Sequence, residues 1–197
     1  MLVGFDCYLR VSELVGLRRC DVVMPLDPRM GRAHTRMAVV LPSAKTGLNQ
    51  SVALQHQGVA DLFAHWVRRL PGRRDSDLVF AFSDDYLRRL IRSACVALGL
   101  GVTPYVPHSL RHGGATADYL LTSSVEHVMF RGRWKSMESC RRYIQQARAL
   151  LAAQRVPQQL NDVGALLGDH LPAVFAGLID AVAEVTSRAR GRRVRFH

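Results

Sequence analysis

One stretch of this sequence reads as strand, and the segments around it read as helix. Residues 36–41, RMAVVL, form a short β-branched run. PSAKTGLNQ then supplies turn chemistry through Pro42, Ser43, Gly47 and Asn49, and SVALQ resumes as a strand. The pattern predicts a hairpin or small meander with Lys45 near its tip, preceded by another turn at DPRMGR. The expected fold class is mainly α with a small antiparallel β-sheet or hairpin (α+β).

The helical segments follow from periodicity and caps. Apolar positions at Leu2, Phe5, Leu9, Leu14 and Leu17 predict a helix over roughly 8–18, with Ser12 and Glu13 on one side. Residues 58–70 have helical spacing and stop at Pro71-Gly72. Residues 84–98 open on acidic residues and close at Gly99. Their Arg88, Arg89 and Arg92 read equally well as a DNA-facing stripe and as a solvated face. After a linker bracketed by Pro104 and Pro107, a helix is expected from near Ser109, with His108 and Arg111 at its mouth. Gly113-Gly114 would let it approach a neighbouring backbone closely. Ser123 or Ser124 would cap a second short helix, and Ser136 would cap the long segment through Gln154. Beyond Val156-Pro157 the composition shifts to Leu, Ala, Val and Gly with helical spacing, and the end of the chain carries five arginines in eleven residues.

Charge narrows the partners. The chain of 197 residues has 27 basic residues against 16 acidic ones and a net charge of +11, which points to a polyanion, nucleic acid before acidic membrane. Two of the 27 are lysines, Lys45 and Lys135. Cys7, Cys20, Cys95 and Cys140 show no CxxC pairing and read as buried reduced thiols. Neither a signal peptide nor a membrane span is recognisable, so a soluble intracellular protein is expected, nuclear in a eukaryote and cytoplasmic in a bacterium. The remaining histidines (His34, His56, His65, His112, His127, His170 and His197) lack metal-ligand spacing, and no metal or other cofactor is expected. Gly-rich phosphate loops, HExxH and Gly-x-Ser-x-Gly are absent.

The densest chemistry lies in residues 107–146. His108 and Arg111 are three apart, and Trp134 precedes Tyr143 by nine. Attack on a phosphodiester needs a nucleophile in line, planar cations for the non-bridging oxygens and a proton for the leaving oxygen. Arginine suits the oxygens because its fork is bidentate and stays charged. Lysine suits the proton because its ammonium can release one. Nine residues on one unbroken helix would set Trp134 and Tyr143 on opposite faces. They can share a site only if the chain breaks between them, and Ser136 as an N-cap provides the break.

Four segments together carry a family resemblance. LRVSELVGLRRCDV resembles the first box of the tyrosine recombinase (phage integrase) family, and AKTG between strands resembles its catalytic-lysine hairpin. PHSLRHGGAT is similar to its His-x-x-Arg box, and GRWKSMESCRRYI to its last box, in which a His or Trp precedes the nucleophilic Tyr by nine. The resemblance covers about residues 2–150. It implies that Arg10 and Arg111 clamp the scissile phosphate and that Lys45 protonates the departing 5′-oxygen. By the same resemblance His108 acts as general acid/base, Trp134 donates its indole N–H to a phosphate oxygen, and Tyr143 attacks to give a 3′-phosphotyrosine. Glu13 would orient Arg10 from behind. No ATP or metal is required by that chemistry.

The resemblance also implies parts that this sequence lacks: an upstream core-binding domain and a first catalytic-domain helix. The expected organisation is an N-terminally truncated catalytic domain over 1–156, a helical segment over 157–187 and a basic tail over 188–197. The 157–187 segment either packs within the chain or docks on a neighbouring protomer. The expected function is site-specific recombination or integration on double-stranded DNA as a homo-oligomer, with mobile elements as its setting. Two alternatives share the features: a DNA-binding module of the same fold without turnover, and a type IB-like topoisomerase.

Overall fold

The computed structural model describes residues 1–30, 35–44, 47–70, 74–100, 105–168, 170, 173–181 and 184. Lys45, one of the expected site residues, and the 188–197 tail lie outside the described residues. The chain opens with two short helices, α1 (Leu2–Asp6) and α2 (Val11–Val15). A single 8–18 helix is therefore not formed. Tyr8 takes a left-handed conformation (φ 47°), and Arg10 is extended as the N-cap of α2. Its backbone N–H donates to Glu13 Oε2 at 2.8 Å, satisfying one of the orphan donors of the helix start.

The strands form one antiparallel sheet in the order β1-β2-β3: β1 (Val22–Val23), β2 (Ala38–Ala44) and β3 (Gly47–Ala53). Val39 pairs with both Val22 and Val52, and Val39, Leu41 and Val52 all face the core. Pro42, expected in the turn, lies within β2. There β2 has passed the end of β1, so its outer side is an edge where a missing N–H is tolerated.

Helix α3 (Gln57–Arg69) buries Ala60, Phe63, Ala64 and Val67, an i, i+3, i+4, i+7 stripe. Helix α4 (Asp84–Ala97) buries Leu87, Ile91 and Cys95. Ser83 caps it by accepting from the Tyr86 N–H at 3.2 Å, and Gly99 leaves it with φ 66°. These faces, with α1, α2 and the sheet, make the main core. Each fully buried aliphatic or phenyl side chain there contributes about 1.5–3 kcal/mol. Of the cysteines, Cys7, Cys95 and Cys140 are buried free thiols as expected, whereas Cys20 is exposed.

The second half is helical: α5 (Pro107–Thr122), α6 (Val125–Gly132), α7 (Met137–Arg141), α8 (Gln146–Arg155) and α9 (Gln158–Gly168). Pro107 begins α5 at the position where a missing N–H costs nothing, two residues before the expected start. Gly114 sits against the Phe5 carbonyl and the Tyr8 ring, and a Cβ there would overlap both, so α5 crosses α1 at backbone contact. Residues 173–181 are helical, and Asp180 pairs with Arg69 and, at 2.9 Å, with His65 of α3 in the same chain.

Candidate active site

A second, smaller apolar cluster lies between α5, α6 and α7. Tyr8, Ala115, Val128, Trp134 and Cys140 are its buried members, and Tyr143 and Ile144 pack on it. Two local breaks build it. Helix α6 ends at Arg133, which is left-handed (φ 59°), and the Ser136 hydroxyl then accepts from the Ser139 N–H at 3.2 Å to cap α7. The break expected between Trp134 and Tyr143 is thus present. A second break was not expected: α7 stops at Arg141, α8 starts at Gln146, and Tyr143 lies in the link between them. Thr116 of α5 holds that link. Its hydroxyl donates to the Tyr143 carbonyl at 3.2 Å and accepts from the Gln145 N–H at 3.0 Å.

Three of the expected site residues, Trp134, His108 and Arg111, surround the Tyr143 ring together with His112, for which no role is expected. The Tyr143 ring centroid is 4.7 Å from Trp134, 5.5 Å from His108 and 4.5 Å from His112, which stacks on it. The Arg111 guanidinium carbon lies 4.4 Å from the Trp134 ring centre and 5.4 Å from that of Tyr143. Arg111 is fully buried. It donates to the Gly132 carbonyl at 2.6 Å and to the Tyr8 carbonyl. Both acceptors are neutral. The Gly132 carbonyl receives Arg111, and the residue must be glycine because any Cβ would overlap the Trp134 ring.

Arg10 enters from the α1–α2 break. Its Nη1 donates to Glu13 Oε1 at 2.6 Å. The other oxygen, Glu13 Oε2, accepts from Arg133 Nη2 at 2.8 Å. Glu13 thus orients Arg10, and it does so while shared with a third arginine. Crowding by like charge is felt across the group. Burial, then Arg10 and Arg133, pull the Arg111 guanidinium down to about 10, against Glu13 and Tyr143. Burial, then Arg111 and Arg10, lower His108 from its ordinary 6.5. The imidazole is therefore neutral near pH 7, the state in which it accepts a proton.

A buried network supports this group from below. Arg131 Nη1 donates to Asp118 at 2.9 Å, and its Nη2 donates to the Asp6 carbonyl at 2.9 Å and the Asp6 carboxylate at 3.2 Å. The Tyr8 hydroxyl donates to Asp118, and Arg131 lies 5.0 Å from the Tyr8 ring centre. Burial and that carboxylate raise the Tyr8 phenol. The network fixes Tyr8, whose carbonyl receives Arg111.

The structure thus gathers His108, Arg111 and Trp134 around the Tyr143 ring, and Glu13 joins Arg10 to Arg133, the residue before Trp134, while Lys45 lies outside the described residues. It adds His112, for which no role is expected, and Thr116, Gly132 and Arg133. The only signal for the last two was the GRW triplet next to Trp134. Arg88, Arg89 and Arg92 are exposed on α4, and Arg88 pairs with Asp84 at 2.9 Å. No group of three or more His, Cys, Asp or Glu suited to a metal occurs among the described residues, and none of their helices is long and apolar enough to cross a membrane.

No protein-family model and no curated protein matches the sequence. Solved structures do match. The XerA recombinase is 21% identical with a TM-score of 0.57, over 79% of this chain and 55% of that one. XerH site-specific recombinase, in a pre-cleavage complex with its difH substrate, is 19% identical with a TM-score of 0.56, over 77% of this chain and 42% of that one. The Tn1549 transposon integrase, bound to transposon right-end DNA, is 14% identical with a TM-score of 0.51, over 76% and 56%. The chain therefore spans about half the length of these structures. The mostly helical architecture with its small three-stranded antiparallel sheet is that of the tyrosine recombinase catalytic domain.

Proposed function

We propose that this chain is the catalytic domain of a site-specific DNA recombinase, breaking and rejoining strands through Tyr143. The observation that carries the reading is the enclosure of the Tyr143 ring by Arg111, Trp134 and His108. In the forward step the Tyr143 oxygen bonds to phosphorus, and the bond from phosphorus to the 5′-oxygen breaks. The phenolic proton passes to His108, and Lys45 supplies a proton to the leaving oxygen. Arg10 and Arg111 hold the non-bridging oxygens and stabilise the charge that builds on them. Because the phosphotyrosine keeps the bond energy, attack by a free 5′-hydroxyl reverses the step and rejoins a strand. Double-stranded DNA is the partner that the net charge of +11 favours.

The test is a nicked duplex that traps the covalent complex. A protein–DNA adduct is expected with the intact chain and is expected to vanish with Tyr143→Phe. No adduct from the intact chain, or one that survives Tyr143→Phe, refutes the assignment. Salt-steep DNA binding without an adduct would support a binding module. Adduct formation with no preferred site would support a topoisomerase. For 157–187, docking on a neighbouring protomer predicts that cutting after Gln154 lowers the oligomer size in light scattering, and an unchanged size removes that idea.

A further inference from the structure

Arg133 is an unusual residue for its place. It sits at the left-handed end of α6, where glycine or asparagine is favoured and an arginine is strained. Its side chain is only 4% exposed and makes one ion pair, Nη2 to Glu13 Oε2 at 2.8 Å. Its Nε and Nη1 are buried with no hydrogen-bond partner among the described residues. Arginines buried for structural reasons have their donors filled. Arg131, on the same helix, shows the contrast, with two carboxylates and two carbonyls around it. Strain combined with unfilled donors in a native site points to a role beyond packing.

The charge arrangement suggests that role. Arg10 and Arg133 take opposite oxygens of Glu13, and Arg111 adjoins them with neutral acceptors alone. Two guanidiniums thus share one carboxylate, and Arg111 is near enough to feel all three charges, a formal surplus of two positive charges. With Arg133 absent, Glu13 would neutralise Arg10 one to one. With Arg133 present, the same carboxylate serves two guanidiniums: Oε2 takes Arg133 as well as the Arg10 backbone N–H, and the Arg10 side chain keeps one bond to Glu13, on Oε1.

We propose that Arg133 is a positioning residue of the phosphate site, sharing Glu13 with Arg10 so that Arg10 stays oriented but not neutralised. This rests on the phosphodiester reading above and names a member of that site to which the resemblance assigns no role. A doubly negative transition state, with charge from both phosphate and attacking phenolate, would gain most from the surplus, whereas DNA binding depends on many other cations.

The test uses Arg133→Gly, which suits the left-handed backbone, and Arg133→Lys, which restores the charge. Single-turnover adduct formation on the nicked duplex should slow about 10- to 100-fold in Arg133→Gly. Its DNA dissociation constant should stay within about threefold, and Arg133→Lys should recover much of the rate. A wild-type rate in Arg133→Gly overturns the proposal. So does a loss matched by equally weakened DNA binding and not rescued by lysine. A second measurement needs no DNA: the rise in melting temperature with added inorganic phosphate at fixed ionic strength. Arg133→Gly should reduce that rise. If the intact chain makes no adduct but shows a phosphate-dependent rise that Arg133→Gly reduces, the recombinase reading fails and the role of Arg133 stands. An undiminished rise in Arg133→Gly, or none in the intact chain, overturns the role of Arg133.

Discussion

Two groups of arginines differ in every physical respect except residue type. Arg88, Arg89 and Arg92 stand on the outer face of α4, exposed, and Arg88 is paired along the helix with Asp84. Arg10, Arg111 and Arg133 converge where α2, α5 and α6 meet, mostly buried and short of counter-charge. An exposed arginine is already solvated, and a new partner adds roughly 0–1 kcal/mol. A buried one has given up its water, so the partners it lacks decide what the site will bind. A sequence rich in arginine does not separate the two groups by composition; only burial and pairing do.

The comparison can be broken in four places. The largest effect is expected from Arg111→Lys. Lysine cannot reach both the Tyr8 and Gly132 carbonyls while lying flat on Trp134, so adduct formation should fall about 10²- to 10³-fold in a single-turnover assay. Next is Gly132→Ala, whose methyl group would displace the Trp134 ring. It should cost about 1–3 kcal/mol in denaturant unfolding and slow adduct formation as well.

His108→Gln addresses the site through pH. The histidine titrates below 6.5 in the folded chain and near 6.5 in the unfolded one. The unfolded state therefore binds more protons as pH falls through 6.5, and the native protein loses stability there. The melting temperature of His108→Gln should fall less than that of the wild type between pH 7.5 and 5. The smallest effect is expected from replacing Arg88, Arg89 and Arg92 together by glutamine. Stability should change by about 0.5 kcal/mol or less, and the adduct rate should hold. The salt dependence of DNA binding should lose about one unit of slope for each of the three that meets a phosphate. A collapse of the adduct rate in that variant would erase the distinction between the two groups.

What the sequence made legible is what local chemistry dictates. Helices α3 and α4 follow from their apolar stripes, the β2–β3 hairpin from its β-branched runs, and the Trp134–Tyr143 break from Ser136. What it hid are the turns that no turn residue marks. Residues 142–145, RYIQ, contain neither Gly nor Pro, and their departure from helix is set by Thr116, distant in sequence. Tyr8 and Arg133 are left-handed without being Gly, Asn or Asp, so their bends are decided by buried partners rather than by propensity. The part of the site that a motif describes was readable; the part that carries it, Gly132, Thr116 and the Arg131–Asp118 network, was not.

The bend at Tyr8 has one more consequence. In an unbroken helix its carbonyl would be consumed by the amide four residues on, and no acceptor would be left for Arg111. Because the chain turns left-handed there, that oxygen points across to α5 instead of along its own helix. One residue of unfavourable backbone, about 1 kcal/mol, thus turns an ordinary peptide group into a socket for the guanidinium. Any change that straightens residues 7–10 into helix should empty that socket, and re-aim Arg10, without replacing a side chain of the site.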